Sequence, residues 1–215
     1  MCRWNNSSAA SAVSDRATGH PGNPWLHGVL RVEDRTYSKV GVADKMTKTI
    51  YKGRVVNLNL ETVTLPNGHT VELEVIHHPG ATAIVPMRDD GSVLLIRQFR
   101  HAAGGYILEI PAGKLDPGED PKDCAARELE EEIGFRASSL EPVITFFTTP
   151  GFTDEVIHIY KATGLRPGRQ NLDHDEVLDV IELPLQKAIT QIEDGTIRDG
   201  KTIIGLQAVY LREKW

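Results

Sequence analysis

A chain of 215 residues is long enough for one medium domain with a real core, and 24 Lys+Arg against 30 Asp+Glu leave a formal charge of −6. That acidity disfavours a surface built to grip a nucleic-acid backbone. No apolar run reaches the roughly 20 residues needed to cross a bilayer, and the opening MCRWNNSSAASAVSD lacks the charged-then-apolar order of a secretory signal.

Residues 1–45 are rich in Ser, Ala, Gly and Asn without a sustained period and read as a flexible N-terminal extension. Regular patterning begins beside Met46, so a tag, a leader or a mis-assigned start is the expectation for them. Residues 50–65 are β-branched-rich and are followed by Asn67-Gly68 and a second apolar run over 70–77, which predicts a β-hairpin within 46–80. A second hairpin is expected from AIVPM at 83–87, the turn Asp89-Asp90-Gly91 and VLLIRQF at 93–99. Residues 106–110 suit a short strand, and 121–133 a helix. Strand-like segments follow near 143–148, 156–160 and 177–183, then helices over 185–192 and 202–212. The 81–215 region is therefore an α+β domain with a mixed sheet. Cys2 and Cys124 form neither a C-x-x-C pair nor a disulfide framework, which fits a reducing cytoplasm.

The chemistry concentrates between Asp116 and Glu132, where eight acids and two bases give a local charge of −6. At 100° per residue, Ala126, Leu129 and Ile133 share a stripe that should pack on the sheet. Glu128 and Glu132 fall together beside it, Glu131 lies next to them, and Glu130 points away. An acidic helix face is ordinarily just solvated, and like charges at i,i+4 cost about a few tenths of a kcal/mol per pair. A hard divalent cation reverses that sign, and Mg²⁺ favours carboxylates and waters shared with substrate phosphates.

The run from Gly113 to Phe135 resembles the Nudix box, G-x5-E-x7-R-E-U-x-E-E-x-G-U with U a bulky apolar residue. It matches at Gly113, Glu119, Arg127, Glu128, Leu129, Glu131, Glu132, Gly134 and Phe135. The resemblance implies an α/β/α sandwich with a mixed sheet, preceded by a small antiparallel β region. It also implies hydrolysis of a nucleoside diphosphate linked to another group, with Mg²⁺, or Mn²⁺ or another divalent cation, on Glu128, Glu131 and Glu132 and with Glu119 nearby. Arg127 would orient the carboxylates.

Three clusters outside the box resemble ADP-ribose pyrophosphatases: His77-His78-Pro79-Gly80-Ala81, the Arg97-Gln98-Phe99-Arg100 run with Glu109-Ile110-Pro111-Ala112-Gly113, and Pro150 placed 16 positions after Gly134. By that resemblance Arg100 contacts the diphosphate, the Ala112 carbonyl completes a metal's shell, and His78, Arg97 and Glu109 help to bind substrate. A loop glutamate acts on the attacking water, Glu176 first and Glu155 second. The 46–80 region would exchange between the subunits of a homodimer. Hydrolysis of ADP-ribose to AMP and ribose 5-phosphate is the leading expectation; another nucleotide sugar such as GDP-mannose, or a non-catalytic ADP-ribose sensor, are the alternatives. Cys124 sits at a free position of the motif and reads as a packing residue.

Overall fold

The structure is a computed structural model that describes residues 46–174 and 176–214. The extension expected over residues 1–45 lies outside the described residues. The first three strands, β1 (Met46–Lys52), β2 (Asn57–Thr64) and β3 (Thr70–His77), form an antiparallel sheet of their own. The β-rich run at 50–65 is split by a turn in which Gly53 N–H donates to Val56 O (2.8 Å), so two strands stand where one was read. The hairpin between β2 and β3 closes through Leu65–His69 and Leu65–Gly68 backbone bonds, with Gly68 at φ 83°. Only glycine takes that conformation without steric cost.

The main body contains β4 (Ala81–Pro86), β5 (Ser92–Arg100), a single 3₁₀ turn at His101–Ala103, β6 (Gly105–Glu109), β7 (Ala112–Lys114), α1 (Pro121–Ile133), β8 (Phe135–Arg136), β9 (Ser139–Phe147), β10 (Val156–Thr163), β11 (Arg166–Pro167), β12 (Leu178–Pro184), α2 (Leu185–Glu193) and α3 (Gly200–Glu213). One sheet runs β7-β4-β10-β9, another β12-β5-β6, and β8 pairs with β11. β4 and β10 are parallel and their neighbours antiparallel, which makes the larger sheet mixed.

The second hairpin is corrected. β4 and β5 share a tight turn, with Arg88 N–H on Ser92 O (2.8 Å), and one isolated bridge between Met87 and Val93, but then enter different sheets. Both strands are buried on both faces, so each takes its ladder partners from strands distant in sequence, β10 for β4 and β12 for β5.

Alternation along these strands sorts the core into two layers. Ala83, Val85, Val93 and Leu95 meet α2 and α3 through Leu185, Ala188, Leu206 and Val209. Ile84, Leu94 and Ile96 meet α1 through Ala125, Leu129 and Ile133. Helices therefore cover both faces, an α/β/α sandwich. Burying Leu129 and Ile133 contributes about 1.5–3 kcal/mol each before entropy is counted. The covered stripe of α1 differs from expectation in one residue: Ala126 is exposed and Ala125 takes its place. At 100° per residue Ala125 lies between Leu129 and the acidic face, whereas Ala126 lies beyond the apolar edge.

Candidate active site

The box folds as a short strand, a loop and α1. Asp120 caps the helix by accepting from Lys122 N–H (2.8 Å), and Pro121 occupies the first turn where its missing N–H costs nothing. Gly134 ends the helix at φ 72°, donating to Glu130 O (2.9 Å). Between these caps, one helix face points at β7. Glu132, 2 % exposed, accepts from Ala112 N–H (2.8 Å). Glu128 lies flat against Gly113, where an added Cβ would stand 1.7 Å from its Oε1. The glycine is required there by the carboxylate packed on it.

Arg127 is the hub of the cluster. It donates to Glu119 through Nε (2.9 Å) and Nη2 (3.0 Å), and through Nη1 to Glu128 (2.7 Å) and Glu131 (2.9 Å). Its charge and bonds pull the Glu119 carboxyl down to about 2. Burial raises Glu128 above the usual carboxylate range despite Arg127. Glu132 is pushed up to about 8, first by burial and then by the charges of Glu128 and Glu176. Among the described residues no three such side chains are gathered into a finished metal shell. The donor chemistry nevertheless fits a hard divalent cation: crowded carboxylate oxygens, partly desolvated and mutually repulsive, bordering an open cleft.

That cleft has a volume of about 950 Å³, ample for a nucleotide-sized ligand. Arg100 borders it, paired in two-pronged fashion with Glu109 (Nε–Oε1 2.8 Å, Nη2–Oε2 3.0 Å). Glu109 is 1 % exposed and is not among the residues that border the cleft; it stands behind Arg100. Burial alone would raise its carboxyl, but Arg100 and Lys201 hold it below the usual range. Lys201 and Asp199, at the start of α3, border the cleft and were not foreseen. The Asp-Gly-Lys-Thr run at 199–202 carries a helix-capping signal, and that was the available clue.

Glu176 and Glu155 both border the cleft. Glu176 reaches the box electrostatically, since its charge raises both Glu128 and Glu132. Glu155 is held by Thr148 Oγ1 (2.8 Å) and lies 3.4 Å from His78 Nδ1. Arg97 is not brought to the cleft in this chain. Its side chain alternates to the opposite face of β5 from Gln98 and Arg100, pairs with Asp179 (2.5 Å) and covers the Tyr106 ring at 4.6 Å. Cys124 is fully buried, accepts from Thr82 Oγ1 (3.3 Å) and is raised to about 11 by burial, which removes it from nucleophilic chemistry.

Comparison with known proteins agrees with this geometry. The NUDIX domain model matches residues 77–204. The chain is 44% identical over 169 residues to a methanol dehydrogenase activator of Bacillus methanolicus, covering 78% of this chain and 91% of the relative. It is 38% identical over 184 residues to an ADP-ribose pyrophosphatase of Bacillus subtilis (strain 168), covering 85% and 95%. A solved ADP compounds hydrolase superposes with a TM-score of 0.69 at 25% identity, over 80% of this chain and 96% of that one. With the box residues gathered on one helix face and the domain model spanning more than half of its length, the chain belongs to the Nudix hydrolase family.

Proposed function

We propose that the protein hydrolyses ADP-ribose to AMP and ribose 5-phosphate with Mg²⁺, or Mn²⁺ in its place. The observation that carries this reading is the make-up of the cleft, which is bordered both by crowded carboxylates and by Arg100 and Lys201. A metal-bound diphosphate carries both charges needed to match it. The ADP-ribose pyrophosphatase of Bacillus subtilis and the ADP compounds hydrolase supply the choice of substrate. Glu128, Glu131 and Glu132, with the Ala112 carbonyl and Glu119 at hand, would hold the cation, which when bound neutralises charge on the diphosphate oxygens. Arg127 fixes the carboxylates, and Arg100 donates to a phosphate oxygen. Glu176 accepts the proton of a water that attacks one phosphorus, and the bond from that phosphorus to the bridging oxygen breaks. Placing these groups in advance supplies most of the acceleration.

The protein acts as a homodimer in this reading, with residues 46–80 engaging a second copy. All of β1 is exposed, including Ile50 and Tyr51, while Val55 just beyond it borders the cleft. Light scattering of the purified chain tests the dimer. Product analysis with ADP-ribose, GDP-mannose and a nucleoside triphosphate, each with Mg²⁺ and with chelator, tests the reaction. AMP and ribose 5-phosphate should form fastest from ADP-ribose and only with metal; no cleavage of any substrate with any metal would favour a ligand sensor. Glu176→Gln should lower kcat by about 10²–10⁴ and Glu155→Gln far less, if Glu176 is the base.

A further inference from the structure

The segment that leads from β11 to β12 carries Glu176, and its first part is docked on the end of α1. An α-helix leaves its last carbonyls without partners of its own. Here Gly134 N–H takes Glu130 O (2.9 Å), and the segment takes carbonyls beyond it. Asn171 N–H donates to Glu131 O (2.9 Å), the Gln170 side chain donates through Nε2 to Glu132 O (2.7 Å), and Gly168 N–H donates to Gly134 O (2.8 Å). The fit is close: a Cβ on Gly168 would stand 2.9 Å from Glu130 Oε1, and one on Gly134 3.3 Å from Gln170 N.

Two of the carbonyls taken belong to Glu131 and Glu132, whose carboxylates lie in the box cluster. The segment's other anchor is on β5, where Phe99 N–H donates to Val177 O (3.0 Å). Between the anchors a tight turn closes on the glutamate: Asp173 N–H donates to Glu176 Oε2 (2.9 Å), and Glu176 N–H donates to Asp173 O (3.0 Å). Asn171, Asp173 and Glu176 all border the cleft. The β5 anchor ties Glu176 to the sheet but leaves the chain before it free to swing. The α1 anchor decides how near the carboxylate stands to the box. Within that anchor the bonds of Gly168 and Asn171 come from backbone N–H groups, which almost any residue supplies, whereas Gln170 supplies its bond from the side chain. Gln170 is exposed, so it is not there to fill the core.

We infer that Gln170 is a positioning residue for hydrolysis: its amide latches the Glu176-bearing segment to the main chain of the box helix and so sets Glu176 against the carboxylate cluster. The inference rests on the reading of Glu176 as the base and deepens it. A hydrogen bond of this kind is strong enough that losing it shifts a docked segment toward its undocked state about fivefold.

The test is a double-mutant cycle on the full-length enzyme at saturating metal, run with whichever nucleotide sugar the wild type cleaves fastest, so that the choice of substrate does not enter. Gln170→Met keeps the length of the side chain and removes the donor; it should lower kcat about fivefold and leave apparent metal affinity within about twofold. In a Glu176→Gln background the same change should cost no more than about twofold, because the group it positions is gone. A fivefold loss that persists in that background, a loss of metal affinity as large as the loss of kcat, or a Gln170→Met enzyme as active as the wild type overturns the proposal and leaves Glu176 as the base. A Glu176→Gln enzyme as active as the wild type overturns the base reading, and the role of Gln170 falls with it.

Discussion

Two charged clusters share the cleft and are built in opposite proportions. On α1 one arginine, Arg127, is surrounded by Glu119, Glu128 and Glu131, with Glu132 buried beside them. In the other cluster one glutamate, Glu109, is held between Arg100 and Lys201. In both, the minority charge is the organiser: it fixes the majority groups without cancelling them at the cleft wall. The surplus then decides what each side attracts, a cation at the first and an anion at the second. A diphosphate carrying a metal ion satisfies both at once, whereas a bare cation or a bare phosphate satisfies one.

The carboxylate side should be the more sensitive. Glu132→Gln keeps the size of the side chain and can still accept from Ala112 N–H (2.8 Å), so the fold should persist while hydrolysis is lost by about 10³ or more in kcat. Circular dichroism and steady-state rates check the two halves of that expectation. Gly113→Ala comes next. The new Cβ would lie 1.7 Å from Glu128 Oε1, so the carboxylate must leave its place, and metal-dependent activity should fall about 10²-fold with little change in helix content. Arg127→Met leaves Glu119, Glu128 and Glu131 without their shared donor and should weaken apparent metal affinity about 10–100-fold in a metal titration. A smaller effect for Arg127→Met than for Lys201→Met on that titration would break the proposed division of labour between the clusters.

How much of this was legible in the sequence follows the same division. The carboxylate side is local: one helix with an Asp-Pro start and a Gly stop, whose period places Glu128 and Glu132 together. The other side is not local: Glu109 is paired with Lys201, 92 positions later, and no local pattern foretells that partner. Arg97 and Arg100 are three positions apart and so fall on opposite faces of a strand, but which face meets the cleft is decided only in the folded sheet. The turn at Asp89-Asp90-Gly91 is equally visible whether or not its strands go on to pair, since ladder partners for strands buried on both faces are chosen by tertiary packing.

A milder perturbation concerns the link between the N-terminal sheet and the catalytic body. His77, at the end of β3, sits 2.6 Å from Asp154 and 2.7 Å from Glu61, and those carboxylates, Asp154 first, raise its basicity. A raised folded value means that the contribution to stability is fully present below the ordinary 6.5 and fades as pH rises through the folded value. Exchange of the Ile76 amide, which donates to Phe152 O (2.8 Å), should therefore speed up at mildly alkaline pH beyond its chemical rate. In His77→Gln that extra pH dependence should vanish; its survival would assign it to other groups.

The smallest effect is expected at Glu130, which shares the box helix with the carboxylate cluster and none of its function. Its carboxylate turns away to Arg136 (2.7 Å), a residue exposed to 71 %, and to the Arg169 backbone N–H (3.3 Å). Exposed pairs of this kind contribute little, so Glu130→Gln should leave kcat and metal affinity within about twofold of wild type. Glu130 and Glu131 are adjacent in sequence and identical in chemistry, and differ only by the 100° between successive helix positions. A loss at Glu130 equal to that at Glu132 would mean that acidity along the helix, not its face, makes the site.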